Sequence, residues 1–267
     1  KTKSHAQLCP ARPAAPHHRA AREGGGVVRS SWWGRGASMR GIRAAAESRV
    51  RILDRATDAR ARAPRLALRS SKVKGDAAGL KITNELFAIC GKEGLKKLSD
   101  FGLEIFLDLK TLDVPNTVKK TVASILSLKT VKYLTVHTSG GYEMLKAAQE
   151  ASGSLELLGV TVLTSQPASK DQVKLLANLA IKSGLSGIIA SAQEYESVRS
   201  LSKNLKIFCP GIRGIEDKKH DQKRVMSYSE FCKFSKNDSA AFAVIGRPIY
   251  ENGDAGQNIK KIIQSVN

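Results

Sequence analysis

Residues 104–128 read EIFLDLKTLDVPNTVKKTVASILSL, and they contain a complete strand-to-helix unit. The run EIFLDL (104–109) is apolar and rich in strand formers. Behind it, Pro115 suits the first turn of a helix, and Val118, Val122, Ile125 and Leu126 fall at i, i+4, i+7 and i+8 on one helical face. Between strand and helix stand Asp108, Lys110 and Asp113, charges placed where a buried strand ends and where an unpaired charge is costly. The stretch therefore sets a fold, a βα unit, and raises a chemical question about those three side chains.

The unit recurs along the chain. Further strands are predicted at GLKIT (79–83), KYLTVH (132–137), ELLGVTVLT (156–164), SGIIAS (186–191), LKIFC (205–209) and AFAVIG (241–246). The intervals between them suit helices connecting parallel strands. Val173, Leu176, Ala177, Ala180 and Ile181 make a second apolar stripe, on a helix predicted to close at Gly184. These stripes are core. Seven βα units point to an α/β chain of the TIM-type (β/α)8 barrel class, and an eighth strand is needed for closure. It must come from the N-terminal segment, from VRILD (50–54) or RLAL (65–68); otherwise the barrel has a seam.

Two differently built segments are joined in this chain. Residues 1–70 carry 16 Lys+Arg against 4 Asp+Glu, whereas residues 71–267 carry 28 against 20, so most of the net charge of +20 comes from the first quarter. The expected division is a basic, Arg/Ala/Gly-rich and disordered extension over 1–70, followed by a barrel domain over 71–267. The extension's composition also fits an organellar leader or a segment outside the native protein, but no nucleic-acid partner is expected. Cys9, Cys90, Cys209 and Cys232 are scattered and form no CxxC pair, so neither a zinc site nor a disulfide framework is signalled, and a reducing, cytoplasmic setting is expected. No apolar run approaches the roughly 20 residues of a membrane-spanning helix, so no membrane partner is expected.

In a barrel of this class the active site is built at the strand C-termini and the βα loops. Polar residues collect at those ends: Lys81, Asp108 and Lys110, His137, Thr164 and Ser165, then CPGIR (209–213) and IGRP (245–248). A strand-end Asp or Lys is often a structural ion-pair partner, so DLKTLD (108–113) alone is weak. His137 is as readily a packing residue as a catalytic one and is left out of the site.

The ordered set is more specific. LKITNELF (80–87), FLDLKTLDVPNTV (106–118), LTVHTSGG (134–141), LLGVTVLTS (157–165), PGIR (210–213), DQKRVM (221–226) and VIGRPI (244–249) together resemble the orotidine 5′-phosphate decarboxylase family from about residue 73 to the end. The resemblance implies loss of CO2 from orotidine 5′-phosphate to give UMP, with no metal and no organic cofactor, so that electrostatics does the work. It implies that Asp108 sits beside the substrate carboxylate and that Lys110 protonates the carbon left behind. It further implies that Asp113 and Thr117 reach the site from the other subunit of a homodimer. Lys81 would join the charged network and touch ribose, and Thr164 would line the pyrimidine pocket. Arg213, Gln222, Gly246 and Arg247 would hold nucleotide and phosphate. For Arg247 the plain alternative is a surface arginine.

Two departures from the family stand out. Its first strand ends in a ribose-binding Asp, for which only Asp54 and Asp58 are available, Asp54 behind the better strand. The loop after LTS (163–165) is shorter than the family's lid, which would weaken closure over substrate. Two other readings compete. One is a Mg2+-dependent sugar-phosphate decarboxylase or aldolase of the same superfamily, which shares the Asp-x-Lys-x-x-Asp core but lacks the VPNT and DQKRVM continuations. The other is a barrel that has lost its activity.

Overall fold

The computed structural model describes residues 50–53, 76–214, 225–235, 238–250 and 253–265. Eight parallel strands close into a barrel: β1 (Val50–Leu53), β2 (Gly79–Thr83), β3 (Glu104–Thr111), β4 (Val131–His137), β5 (Glu156–Val160), β6 (Gly187–Ile189), β7 (Lys206–Pro210) and β10 (Ala241–Ile245). The intervening β8 (Ile212–Arg213) and β9 (Met226–Ser227) pair with each other in a short ribbon. The first strand comes from VRILD, with Ile52 in register with Ile245 of β10 and with Leu80 of β2. The barrel thus takes its closing strand from the Arg-rich segment, the source the sequence offers. RLAL (65–68), the other candidate, lies outside the described residues, as do residues 1–49 and their expected disorder.

Helices follow the strands, α1 (Asn84–Ser99) after β2 and α3 (Gly141–Glu150) after β4, and the two with apolar stripes form where those stripes predict. Between β3 and β4, α2 (Pro115–Ser127) buries Val118, Val122 and Ile125. Between β5 and β6, α4 (Lys170–Lys182) buries Val173, Ala177 and Ala180. It begins with the Ser169 side chain accepting from Gln172 N and stops where Gly184 takes φ +79°, a left-handed value that suits glycine. The 156–164 strand is shorter than predicted and ends at Val160. Val162 and the residues after it turn away to line the barrel mouth instead.

Alternate strand positions divide the core into two parts, as a two-residue period requires. Ile105, Leu107, Leu134, Val136, Leu157 and Ile207 join the buried helix faces in one large cluster. Phe106, Tyr133, Leu158, Phe208 and Val244 form a separate cluster inside the barrel. Phe106, Tyr133 and Phe208 meet edge to face, with ring centroids 5.1–6.3 Å apart, and Phe242 stacks on Phe208 at 4.5 Å. This aromatic layer fills the lumen.

Toward the strand N-termini, Glu156 pairs with Lys206 and, at 3.0 Å, with Lys132. Burial would push the Glu156 carboxyl up, but hydrogen bonds from these two lysines pull it below its ordinary value. Also before β7 and β10, Arg199 donates to the carbonyls of Ser202, Lys203 and Leu205 and pairs with Asp238 at 2.7 Å. Gly187 is needed at the β6–β7 contact, because a Cβ there would lie 2.5 Å from the Lys206 carbonyl oxygen.

Candidate active site

The strand C-termini open into a cavity of about 380 Å³. Phe106, Val160, Val162, Ile189, Ile212 and Val244 supply its apolar surface. Seven of the residues singled out from the sequence line it: Lys81, Asp108, Lys110, Thr164, Arg213, Gly246 and Arg247. They come from β2, β3 and the segments after β5, β7 and β10, so residues up to 166 positions apart meet in one place.

Asp108 is the centre of the charged group. Its Oδ2 accepts from both the Lys81 and the Lys110 ammonium groups, the latter at 2.8 Å, and its Oδ1 accepts from the Thr135 hydroxyl at 3.0 Å. Asp108 and Lys81 are buried, whereas the Lys110 side chain is 36% exposed. Burial alone would raise the Asp108 carboxyl, but the two ammonium charges and their hydrogen bonds overcome it and hold the group well below the usual carboxylate range. The result is an acid held ionised at neutral pH between two cations. Lys81 also lies 5.8 Å from the centroid of the Phe106 ring, which forms part of the floor.

The backbone that places Lys110 is irregular. Leu107 pairs with Leu134 and Thr111 with Val136, so β3 advances from 107 to 111 while β4 advances only from 134 to 136. The additional residues bulge, and Lys110 takes φ 50°, a left-handed value that costs a non-glycine residue about 1–3 kcal/mol. Two side chains hold the bulge. Asn84 Nδ2 donates to the Leu109 carbonyl at 3.1 Å, and the Lys110 N–H donates to Thr135 Oγ1 at 2.8 Å. Neither residue was singled out from the sequence. Thr135 stood inside the quoted LTVHTSGG run, yet its partners are 25 and 27 positions away and become visible only once β3 and β4 are in register.

Not every sequence candidate joins the cavity. Asp113 and Thr117 are exposed and lie outside its lining, Asp113 accepting from its neighbour Val114 N at 2.6 Å. Gln222, Asp54 and Asp58 lie outside the described residues. His137, also outside the lining, is half-buried, with Nδ1 2.8 Å from Ser139 Oγ. Burial, followed by the Lys110 charge, pushes its imidazole below the ordinary value. Among the described residues no cluster of His, Cys, Asp or Glu is arranged to hold a metal ion, and no helix is long and apolar enough to cross a membrane.

A closed parallel barrel with an ionised acid between two lysines at its C-terminal mouth, and with Arg213 and Arg247 lining that mouth beyond β7 and β10, has the layout of a (β/α)8-barrel enzyme. Residues 63–262 match the model of the orotidine 5′-phosphate decarboxylase / HUMPS family, and the chain belongs to that family. It is 38% identical over 201 residues to the orotidine 5′-phosphate decarboxylase of Methylacidiphilum infernorum, covering 70% of this chain and 85% of that one. It is 41% identical over 207 residues to the enzyme of the same name from Ehrlichia chaffeensis, covering 72% and 87%. Among solved structures, orotidine 5′-phosphate decarboxylase from Lactobacillus acidophilus superposes with a TM-score of 0.67 at 27% identity, over 83% of this chain and 99% of that one. The Methanocaldococcus jannaschii enzyme, solved with the inhibitor BMP, has a TM-score of 0.68 at 19% identity over 83% and 99%, a likeness of fold.

Proposed function

We propose that this chain decarboxylates orotidine 5′-phosphate to UMP. The observation that carries the reading is the position of Asp108, buried, ionised and held by Lys81 and Lys110 at the edge of a cavity that also contains Arg213 and Arg247. A phosphate dianion suits the guanidinium of Arg247 and the neighbouring Gly246 backbone, while the apolar wall around Val160, Val162 and Ile189 suits a flat pyrimidine. With the base so placed, its carboxylate faces Asp108, and two like charges in a site of low dielectric disfavour the bound ground state.

The bond between C6 and the carboxyl carbon breaks, the electron pair stays on C6, and neutral CO2 leaves. The Lys110 ammonium stabilises that pair and then transfers a proton to C6, after which the amine recovers a proton from solvent. Lys81 keeps Asp108 charged throughout and offers its remaining donors to ribose. Thr164 lines the base pocket, and Gln222 is assigned to the nucleotide from the DQKRVM match alone. No metal or organic cofactor enters these steps.

The working unit in this reading is a homodimer. Asp113, beside the 55% exposed Leu112 and the 62% exposed Val114, stands on an apolar surface fit for burial against a second copy. Asp113 and Thr117 would then complete the partner's site, with Asp113 steadying the Lys110 ammonium there. Four cysteines spread over the chain, Cys9, Cys90, Cys209 and Cys232, with no CxxC pair, suit the reducing cytoplasm as its location.

The test is turnover. Purified chain incubated with orotidine 5′-phosphate should release CO2 and UMP in equal amounts, with and without EDTA. Loss of activity in EDTA, restored by Mg2+, would instead favour the sugar-phosphate reading. A folded chain that binds UMP and releases no CO2 would favour the inactive barrel.

A further inference from the structure

Thr135 carries two hydrogen bonds that meet at the reacting pair without touching the cavity itself. It is fully buried in β4 and absent from the lining. It sits between Leu134 and Val136, the two residues whose partners Leu107 and Thr111 bracket the β3 bulge, and so faces the bulge directly. Its Oγ1 accepts the Lys110 N–H at 2.8 Å. With that lone pair engaged, the hydroxyl proton is directed to Asp108 Oδ1 at 3.0 Å. One atom thus fixes both the backbone from which the Lys110 ammonium projects and the rotation of the carboxylate that ammonium contacts.

We propose that Thr135 is a positioning residue for decarboxylation, holding Lys110 in its left-handed conformation and turning Asp108 so that Oδ2 faces both lysines. The proposal rests on the decarboxylase reading above. The chemistry explains why this position needs a hydroxyl. Valine fills the same volume but can neither accept from Lys110 N nor donate to Asp108, so the bulge is free to relax and the carboxylate to rotate. Lys110 then loses its alignment with C6, while the residues that bind phosphate and base are untouched. Serine retains both hydrogen bonds and loses only a methyl group.

The experiment compares the parent chain with Thr135→Val and Thr135→Ser, measuring kcat, KM and the Kd for UMP, with circular dichroism to establish folding. A misplacement of this kind costs about tenfold to a hundredfold in rate. Thr135→Val should lose that factor in kcat with the UMP Kd unchanged, and Thr135→Ser should recover most of it. A kcat for folded Thr135→Val within twofold of the parent overturns the proposal. So does a Thr135→Ser variant as slow as valine, or a UMP affinity that falls in step with kcat. If valine prevents folding, serine alone decides, because near-parental kcat supports the hydroxyl and a tenfold loss rejects it. Absence of turnover by the parent chain overturns the decarboxylase reading and this one together, whereas normal parent turnover with an indifferent Thr135 overturns only this one.

Discussion

Lys110 Nζ lies 2.8 Å from Asp108 Oδ2, although the two residues are separated by a single position in a strand whose backbone departs from extended geometry between them. The contact brings the partly exposed cation of the site against its buried anion. It gives Lys110 a defined place at the cavity edge while leaving ammonium protons for a ligand.

Lys110→Ala removes the proton donor. Turnover of orotidine 5′-phosphate should fall by at least about a thousandfold, as expected when a general acid and an electrostatic stabiliser are lost together. Because the side chain is partly exposed, the far-UV circular dichroism spectrum and UMP binding should persist. Activity equal to the parent's would reject the mechanism.

Lys81→Met tests the buried half of the network. Asp108 would keep Lys110 but lose the ammonium buried with it, and breaking a buried pair from one side costs about 3–5 kcal/mol. The lower end is expected here, since one cation remains. Urea denaturation at neutral pH measures it, and an unchanged midpoint would show that the pair contributes nothing to the fold.

The depressed Asp108 carboxyl predicts an acid limb of stability. A group whose folded pKa lies below its unfolded value of about 3.9 contributes fully above that value, and the contribution fades as pH falls toward the folded pKa. The stability difference between the parent and Asp108→Asn should therefore shrink from about pH 5 to about pH 3. Denaturant melts at the two pH values report it, and a gap that widens on acidification has the wrong sign for this site.

Arg247→Ala should raise KM about tenfold to a hundredfold, the equivalent of one charge-assisted hydrogen bond to phosphate. Steady-state kinetics with orotidine 5′-phosphate measure the change, and the nucleoside orotidine, which keeps the carboxylate but lacks the phosphate, provides a control. The substitution should leave kcat/KM for orotidine nearly unchanged. An equal loss for both compounds would place Arg247 somewhere other than the phosphate.

Shared sites predict complementation. Lys110→Ala and Asp113→Ala homodimers should each be inactive, yet mixing them in equal amounts after subunit exchange should restore about a quarter of parental activity, because half the dimers are hybrids with one intact site each. No recovery, despite hybrid dimers seen by mass spectrometry, would place Asp113 in its own subunit's site or in none.

The βα units were legible because their signals are local. GLKIT (79–83) forms β2 with the predicted limits, and the Val118–Val122–Ile125 face of α2 follows from helical spacing alone. The Asp108 and Lys110 positions were legible for the same reason, since they end a strand that enters the barrel mouth. The limits of local reading show at 156–164, where an apolar run continues past the point at which β5 leaves the sheet. They show again at β1, where the sequence leaves VRILD (50–54) and RLAL (65–68) both open and only register with Ile245 and Leu80 selects Val50–Leu53.

The sequence by itself determined the periodic elements, the class of barrel they build and the residue types available at its mouth, because each of these depends on neighbours within one or two turns of chain. Tertiary structure alone decided that Val50–Leu53 closes the sheet, that Lys81 and Lys110 share one oxygen of Asp108, and that Thr135 faces the bulge. Those relations depend on the register between strands some 25 to 190 residues apart, which side-chain packing across the closed barrel sets and no local pattern encodes.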